Sequence, residues 1–245
     1  MKFEVVRELK RDVFGRVELV RLGADQLAIR RVACGSPVPM SGLVARVLLA
    51  RELRALERLE GLEGVPRVLE SRRGELLRSF QAGVALSATD ELALDFFERL
   101  AELVHEVHAR GVCHNDLHKE QNVIVGLDGR PALVDFQLAS SHRLGSRVQI
   151  SRAREDLRHV EKHRRRYLRD GRGPRGSEFV LADLPPLRRS FTALVWRRTI
   201  KPIYVFVTRK LLSTRDGEAR RRSDGSWPRW TPARGPRPSQ RMSSR

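Results

Sequence analysis

The chain has 245 residues, 40% of them hydrophobic, with 48 Lys and Arg against 30 Asp and Glu, a formal net charge of +18. That apolar content supports a folded core, which excludes wholesale disorder, and the length allows one large domain or two small ones. Only Cys34 and Cys113 are cysteines, which excludes a disulfide scaffold and a zinc ribbon, while the charged opening MKFEVVRELKRD predicts no secretory leader and no run reaches the roughly 18 apolar residues of a membrane span.

Residues 3–32 alternate apolar and polar positions; Val17, Leu19 and Leu27, Ile29 predict two short strands joined by a turn at 23–25. A helix is expected over 41–60, with Leu48, Leu49, Leu53, Leu56 and Leu59 at helical spacing and Ser41 as its N-cap. Two more strands are read at 65–69 and 75–80. A second helix, capped by Thr89 or Asp90 and running to about Ala109, carries the apolar stripe Phe96, Phe97, Leu100, Leu103, Val104 and Val107, so one face is buried. Asp128-Gly129 between apolar runs predicts a hairpin of strands 123–125 and 132–134. A charged helix follows near 151–168, then a loop GRGPRG at 171–176. From about Thr214 the Arg, Pro, Ser and Gly content predicts disorder.

Charge is unevenly placed. Residues 1–142 hold 20 basic and 21 acidic side chains, whereas 143–175 hold 12 and 4, and 187–245 hold 16 and 3. A near-neutral body therefore carries a basic C-terminal third, attracted to phosphates of anionic lipid or nucleic acid. Because 42 of the 48 bases are Arg, a general compositional bias accounts for the same numbers.

The stretch VHEVHARGVCHNDLHKEQNVIVGLDGRPALVDFQLA at 104–139 carries the chemistry. Asp116 and Asn122 precede the first hairpin strand and Asp135 follows the second, so the hairpin holds two carboxylates and an amide close in space. Such oxygens are what Mg²⁺ prefers beside substrate phosphates, and a carboxylate next to an acceptor hydroxyl takes its proton. As isolated features, Asp116 is a turn cap, Asn122 a strand start and the hairpin merely structural.

Taken together, the residues resemble the protein-kinase catalytic loop H-R-D-x-x-x-x-N followed by D-F-G, with His114-Asn115-Asp116-Leu117 for the first and Asp135-Phe136-Gln137 for the second. The lead-in His108-x-x-Gly111-Val112-x-His114 resembles the end of the preceding kinase helix. Two departures stand out. The motif's Asn position falls on Gln121; Asn122 is preferred because it directly precedes the apolar strand, at the cost of one extra loop residue. Gln137 replaces Gly, which removes backbone freedom but no ligand.

The resemblance spans about residues 10–140 and implies more. Arg30 in Leu27-Ala28-Ile29-Arg30 stands where the phosphate-holding lysine of V-A-I-K would stand, with Arg31 on the opposite face of the strand; Glu52 stands for its helix partner. Glu52 also reads as a solvated charge, since Glu57 and Glu60 share the helix. The glycine-rich loop is degenerate: of Lys10, Asp12, Gly15 and Val17, only Gly15 and Val17 match. With no A-P-E sequence after Asp135, the chain most resembles the reduced bacterial branch, the right-open-reading-frame (RIO) kinases and the lipopolysaccharide core sugar (Kdo and heptose) kinases. His118 is also similar to the aminoglycoside-type phosphotransferases, although a structural loop role is preferred for it.

The resemblance implies a two-lobed α+β fold: an N-lobe at 1–80, a C-lobe at 81–186 and a basic extension at 187–245. It implies transfer of the ATP γ-phosphate, with Mg²⁺, to an alcohol on a protein Ser/Thr or a lipopolysaccharide-type sugar. Asp116 would be the base, Asn122 and Asp135 the metal ligands, and Gly15, Arg30 and Glu52 the nucleotide-binding residues. The alternative is a catalytically impaired pseudokinase serving as a binding module on membrane or nucleic acid. Trp196, Ile203, Tyr204 and Phe206 interleaved with Arg197, Arg198, Lys201 and Arg209 suit an anionic membrane better than nucleic acid, while a terminal element packed on the C-lobe is a somewhat commoner use of such a segment. A cytoplasmic protein is expected, with this tail at the inner face of the membrane.

Overall fold

The computed structural model describes residues 2–23, 25–35, 40–89 and 92–170. Asp90 and the basic extension, with the loop, amphipathic segment and disorder expected there, lie outside the described residues.

The N-terminal part is an antiparallel five-stranded sheet in the order β1-β2-β3-β5-β4. Its strands are β1 (Phe3–Asp12), β2 (Gly15–Leu22), β3 (Gln26–Val32), β4 (Val68–Arg72) and β5 (Glu75–Ser79). The alternation read at 3–32 thus makes three strands rather than two. Val20 and Leu22 on β2, Ala28 on β3 and Leu77 on β5 form one small apolar cluster on a single sheet face. The other face, with Ile29, Arg31, Leu76 and Arg78, turns toward α1 (Ser41–Arg58). Ser41 is the first helical residue and is buried; Met40, in left-handed backbone, precedes it without any side-chain cap.

The second part pairs β6 (Gly83–Ala85), β8 (Val123–Gly126) and β9 (Pro131–Leu133) in a three-stranded sheet, and β7 (Val112–Cys113) with β10 (Ser140–Ser141). Gly129, at φ 77, turns the β8–β9 hairpin as its Asp-Gly signal indicated. The second helix, α2 (Phe96–Ala109), starts later than read, with Asp95 rather than Thr89 at its N-cap position and no side-chain cap there. Its stripe Phe96, Phe97, Leu100, Leu103, Val104 and Val107 is wholly buried and forms the middle of the main core with Leu56, Leu117, Leu133, Phe136, Val160 and Tyr167. Each such side chain contributes roughly 1.5–3 kcal/mol by leaving water.

The third helix, α3 (Arg147–Arg169), is capped by the Ser146 hydroxyl, which accepts from Gln149 N at 3.2 Å. Its buried positions are Gln149, Asp156, Val160, His163 and Tyr167, a largely polar face at helical spacing. Among the described residues no helix is long and apolar enough to cross a membrane. The class is α+β, as the resemblance implied.

Candidate active site

Two pairings bring the distant motif residues together. β7 lies antiparallel to β10, so the segment entering Asp116 runs beside the segment leaving Asp135. At the base of the β8–β9 hairpin, Val134 N donates to Asn122 O at 3.0 Å, which sets Asn122 next to the residue before Asp135.

Asp116 is buried, at 2% exposure. Asn122 Nδ2 donates to its Oδ2 and to its main-chain oxygen, both at 3.0 Å. With the amide nitrogen spent there, the amide oxygen of Asn122 is the atom left for a cation. Gln121 is exposed, whereas Asn122 is buried against Asp116. His118 Nδ1 lies 3.1 Å from Asp116 Oδ1 without hydrogen-bond geometry, and Lys119 Nζ lies 3.4 Å from Oδ2. His118 therefore faces the carboxylate rather than serving the loop alone. Burial pushes the Asp116 carboxyl up, but His118, the Lys119 charge and the Asn122 amide outweigh it and hold it below the usual carboxylate range.

Asp135 sits at φ 64, ψ 65, a left-handed conformation that costs a non-glycine residue about 1–3 kcal/mol. The strain is held by its neighbours. The His114 ring packs on Phe136 with centroids 4.6 Å apart, donates through Nε2 to Val134 O at 3.0 Å and accepts from Asp116 N at 3.3 Å. Arg51 of α1 donates to Leu138 O and Ala139 O at 3.1 Å. The Asp135 side chain remains 31% exposed.

The arginine assignment on β3 is corrected by the pleat. Arg30 points to the far face, where its guanidinium binds Glu75 Oε1 at 2.6 Å and Glu18 Oε2 at 2.8 Å and lies over the Phe3 ring. Arg31 faces α1 and Asp135: its Nη1 donates to Glu52 Oε2 at 3.0 Å and to Asp135 Oδ1 at 3.4 Å. Successive side chains of a strand face opposite ways, so the slip of one position exchanged the two. Glu52 is fully buried, not solvated, with Arg78 Nε 3.1 Å from its Oε1. Gly15 closes the β1–β2 hairpin opposite Asp12; a Cβ there would sit 2.1 Å from Val32 O, so the sheet itself requires a glycine.

The sequence reading missed the polar face of α3, which supports the loop 113–120. Asp156 accepts from His114 N at 2.8 Å, Asn115 N at 2.9 Å and His108 Nε2 at 3.1 Å. His163 Nε2 donates to Leu117 O at 2.7 Å, Gln149 Nε2 donates to His108 O at 2.8 Å, and the Tyr167 hydroxyl donates to Leu86 O. Buried backbone groups of an irregular loop need partners, and this helix supplies them. The recurrence of Gln149, Asp156, Val160, His163 and Tyr167 at intervals of three, four and seven was the available signal. His108, Cys113 and Asp156 bring three possible metal donors within 4.8 Å. Both Asp156 oxygens are already engaged, however, and burial, aided by the Asp156 charge, pushes the Cys113 thiol up to about 12. The cluster is a hydrogen-bond node.

Comparison with known proteins agrees with this geometry. Residues 39–145 match the phosphotransferase enzyme family designated APH. The chain is 34% identical over 149 residues to a probable SapB synthase of Streptomyces coelicolor, covering 49% of this chain and 16% of that protein. It is 30% identical over 154 residues to CBL-interacting protein kinase 4 of Oryza sativa, covering 57% of this chain and 33% of the kinase. A rice relative, CBL-interacting protein kinase 16, is 28% identical over 149 residues. The chain thus spans a third or less of these relatives' own lengths. The matched family and the kinase relatives together support a phosphotransferase of the protein-kinase-like superfamily.

Proposed function

We propose that the protein transfers the γ-phosphate of ATP to an alcohol, and that it does so with Mg²⁺. The observation that carries this is the Asp116–Asn122 contact at 3.0 Å beside a strained, part-exposed Asp135. The donor set fits the metal: the Asn122 amide oxygen and the Asp135 carboxylate are hard oxygens at the base of one hairpin. Bound there, Mg²⁺ neutralises charge on the β- and γ-phosphates. Arg31, held by Glu52, supplies a fixed positive charge to the phosphates. Asp116 is ionised at neutral pH and accepts the proton of the acceptor hydroxyl as its oxygen attacks the γ-phosphorus and ADP departs. Oδ1 is the oxygen for this step, and the acceptor displaces the half-exposed His118 from it.

The reading carries with it a two-lobed arrangement divided near residue 81 and a lineage near the RIO and lipopolysaccharide sugar kinases. The acceptor is a protein Ser/Thr or a lipopolysaccharide-type sugar, and the basic extension at 187–245 docks the enzyme on the anionic inner face of a membrane. Support comes from the similarity to protein kinases and from the 16 basic against 3 acidic residues of that extension.

The test is ATP turnover by the full chain with and without Mg²⁺, against Asp116→Asn and Asp135→Asn. Metal-dependent turnover that both variants lose by about 10²-fold or more supports the reading. Wild-type turnover in Asp135→Asn ends the metal role, and nucleotide binding without turnover in the wild type moves the function to a non-catalytic binding module.

A further inference from the structure

Behind the cleft lies a buried charged residue that the phosphotransfer reading leaves unused. Arg78 stands on β5 with 6% of its surface exposed. The β3–β5 register sets Arg31 opposite Leu76 and Ile29 opposite Arg78, so the two arginines are diagonal neighbours on one sheet face. Between them the fully buried Glu52 gives one oxygen to each: Oε2 to Arg31 at 3.0 Å and Oε1 to Arg78 Nε at 3.1 Å. The Arg78 contact is one of charge, since neither Arg78 Nε nor Glu52 Oε1 has a partner in hydrogen-bond geometry.

A buried guanidinium is costly, and an apolar side chain of similar volume fills such a place at lower free-energy cost. Its presence is explained by the balance of charges. Arg31 and Arg78 face Glu52 and Asp135, two cations against two anions, with Arg31 shared between the anions at 3.0 and 3.4 Å. Without Arg78 the full charge of Glu52 would fall on Arg31 and draw it away from Asp135. With Arg78 present that charge is divided, and Arg31 retains attraction for a second anion in the cleft.

Building on the phosphotransfer reading, we propose that Arg78 is a positioning residue of the phosphate site: it ties Glu52 to β5 and shares its charge, so that Arg31 stays directed at Asp135 and at the phosphates of a bound nucleotide. The carboxylate of α1 is thereby fastened to two strands.

The experiment uses the full chain and measures Mg·ATP binding by calorimetry for Arg78→Met, Arg78→Lys, Glu52→Gln and the Glu52→Gln/Arg78→Met pair, with a melting temperature for each. Arg78→Met is expected to weaken Mg·ATP binding about tenfold, and Arg78→Lys to recover most of it, as for charges in contact. The pair is expected to bind no more weakly than Glu52→Gln alone, because Arg78 acts through Glu52. If Arg78→Met does not fold, Arg78→Lys and the pair, in which no carboxylate is left uncompensated at Glu52, carry the comparison. Wild-type binding in Arg78→Met, or effects of the two substitutions that multiply in the pair, would overturn the proposal. A wild-type chain that binds no Mg·ATP would instead overturn the phosphotransfer reading, and this inference with it.

Discussion

Replacing Asp156 by asparagine changes a single atom, yet it strikes the point from which the loop carrying Asp116 hangs. In the wild type one carboxylate oxygen accepts from His114 N at 2.8 Å and His108 Nε2 at 3.1 Å, while the other accepts from Asn115 N at 2.9 Å. An asparagine keeps one oxygen. In either amide orientation its NH₂ group faces a backbone N–H, that of buried His114 or that of half-buried Asn115. An orphaned buried donor costs about 1–3 kcal/mol, and the bond that survives loses its charge assistance, about 1 kcal/mol more. The expected loss is therefore about 2–4 kcal/mol, a large part of a typical total of ~5–15. Urea unfolding measures the loss, and native-state hydrogen exchange at His114 and Asn115 locates it. Asn115, held at φ 64, is the residue whose backbone should relax first. Unfolding within about 0.5 kcal/mol of wild type, with unchanged protection at those two amides, would refute the view that α3 carries the loop.

Arg31→Met should abolish Mg·ATP binding while Arg30→Met lowers stability and leaves binding in place; the reverse would restore the phosphate role to Arg30. Asn122→Ala should reduce turnover by about tenfold or more and Gln121→Ala by little, because of these two side chains it is Asn122 that bonds Asp116. Native protein should react with a thiol reagent once, at exposed Cys34, and twice in denaturant, since the Cys113 thiol is buried and pushed up to about 12; two fast thiols in native protein would contradict this. Burial, aided by the Arg158 charge, pushes His159 down to about 4, so its neutral form is favoured on folding. Stability should therefore be full above an unfolded value of ~6.5 and fall as pH drops from there toward 4, by an order of 1–3 kcal/mol, in a urea titration that His159→Gln flattens.

The chemistry of the loop was legible because it is local. His114, Asp116, Asn122 and Asp135 lie within one short stretch, and the Asp128-Gly129 turn between two apolar runs already states that its ends meet. The apolar stripe of α2 was equally legible, since burial follows helical spacing. Other features depended on partners far along the chain. Whether Arg30 or Arg31 meets Glu52 and Asp135 is a matter of strand phase, fixed only when Val20, Leu22, Ala28 and Leu77 pack on one face and leave Arg31 to α1. Arg78 reads as an ordinary strand charge until the β3–β5 register sets it beside Glu52, and Asp156 reads as one more acid in a charged helix until α3 rotates it beneath His114 and Asn115. Residue type and short spacing determine which groups are available for phosphoryl chemistry. Which charge meets which is decided by sheet register and helix rotation, because the contacts that fix them join residues 21 to 104 positions apart.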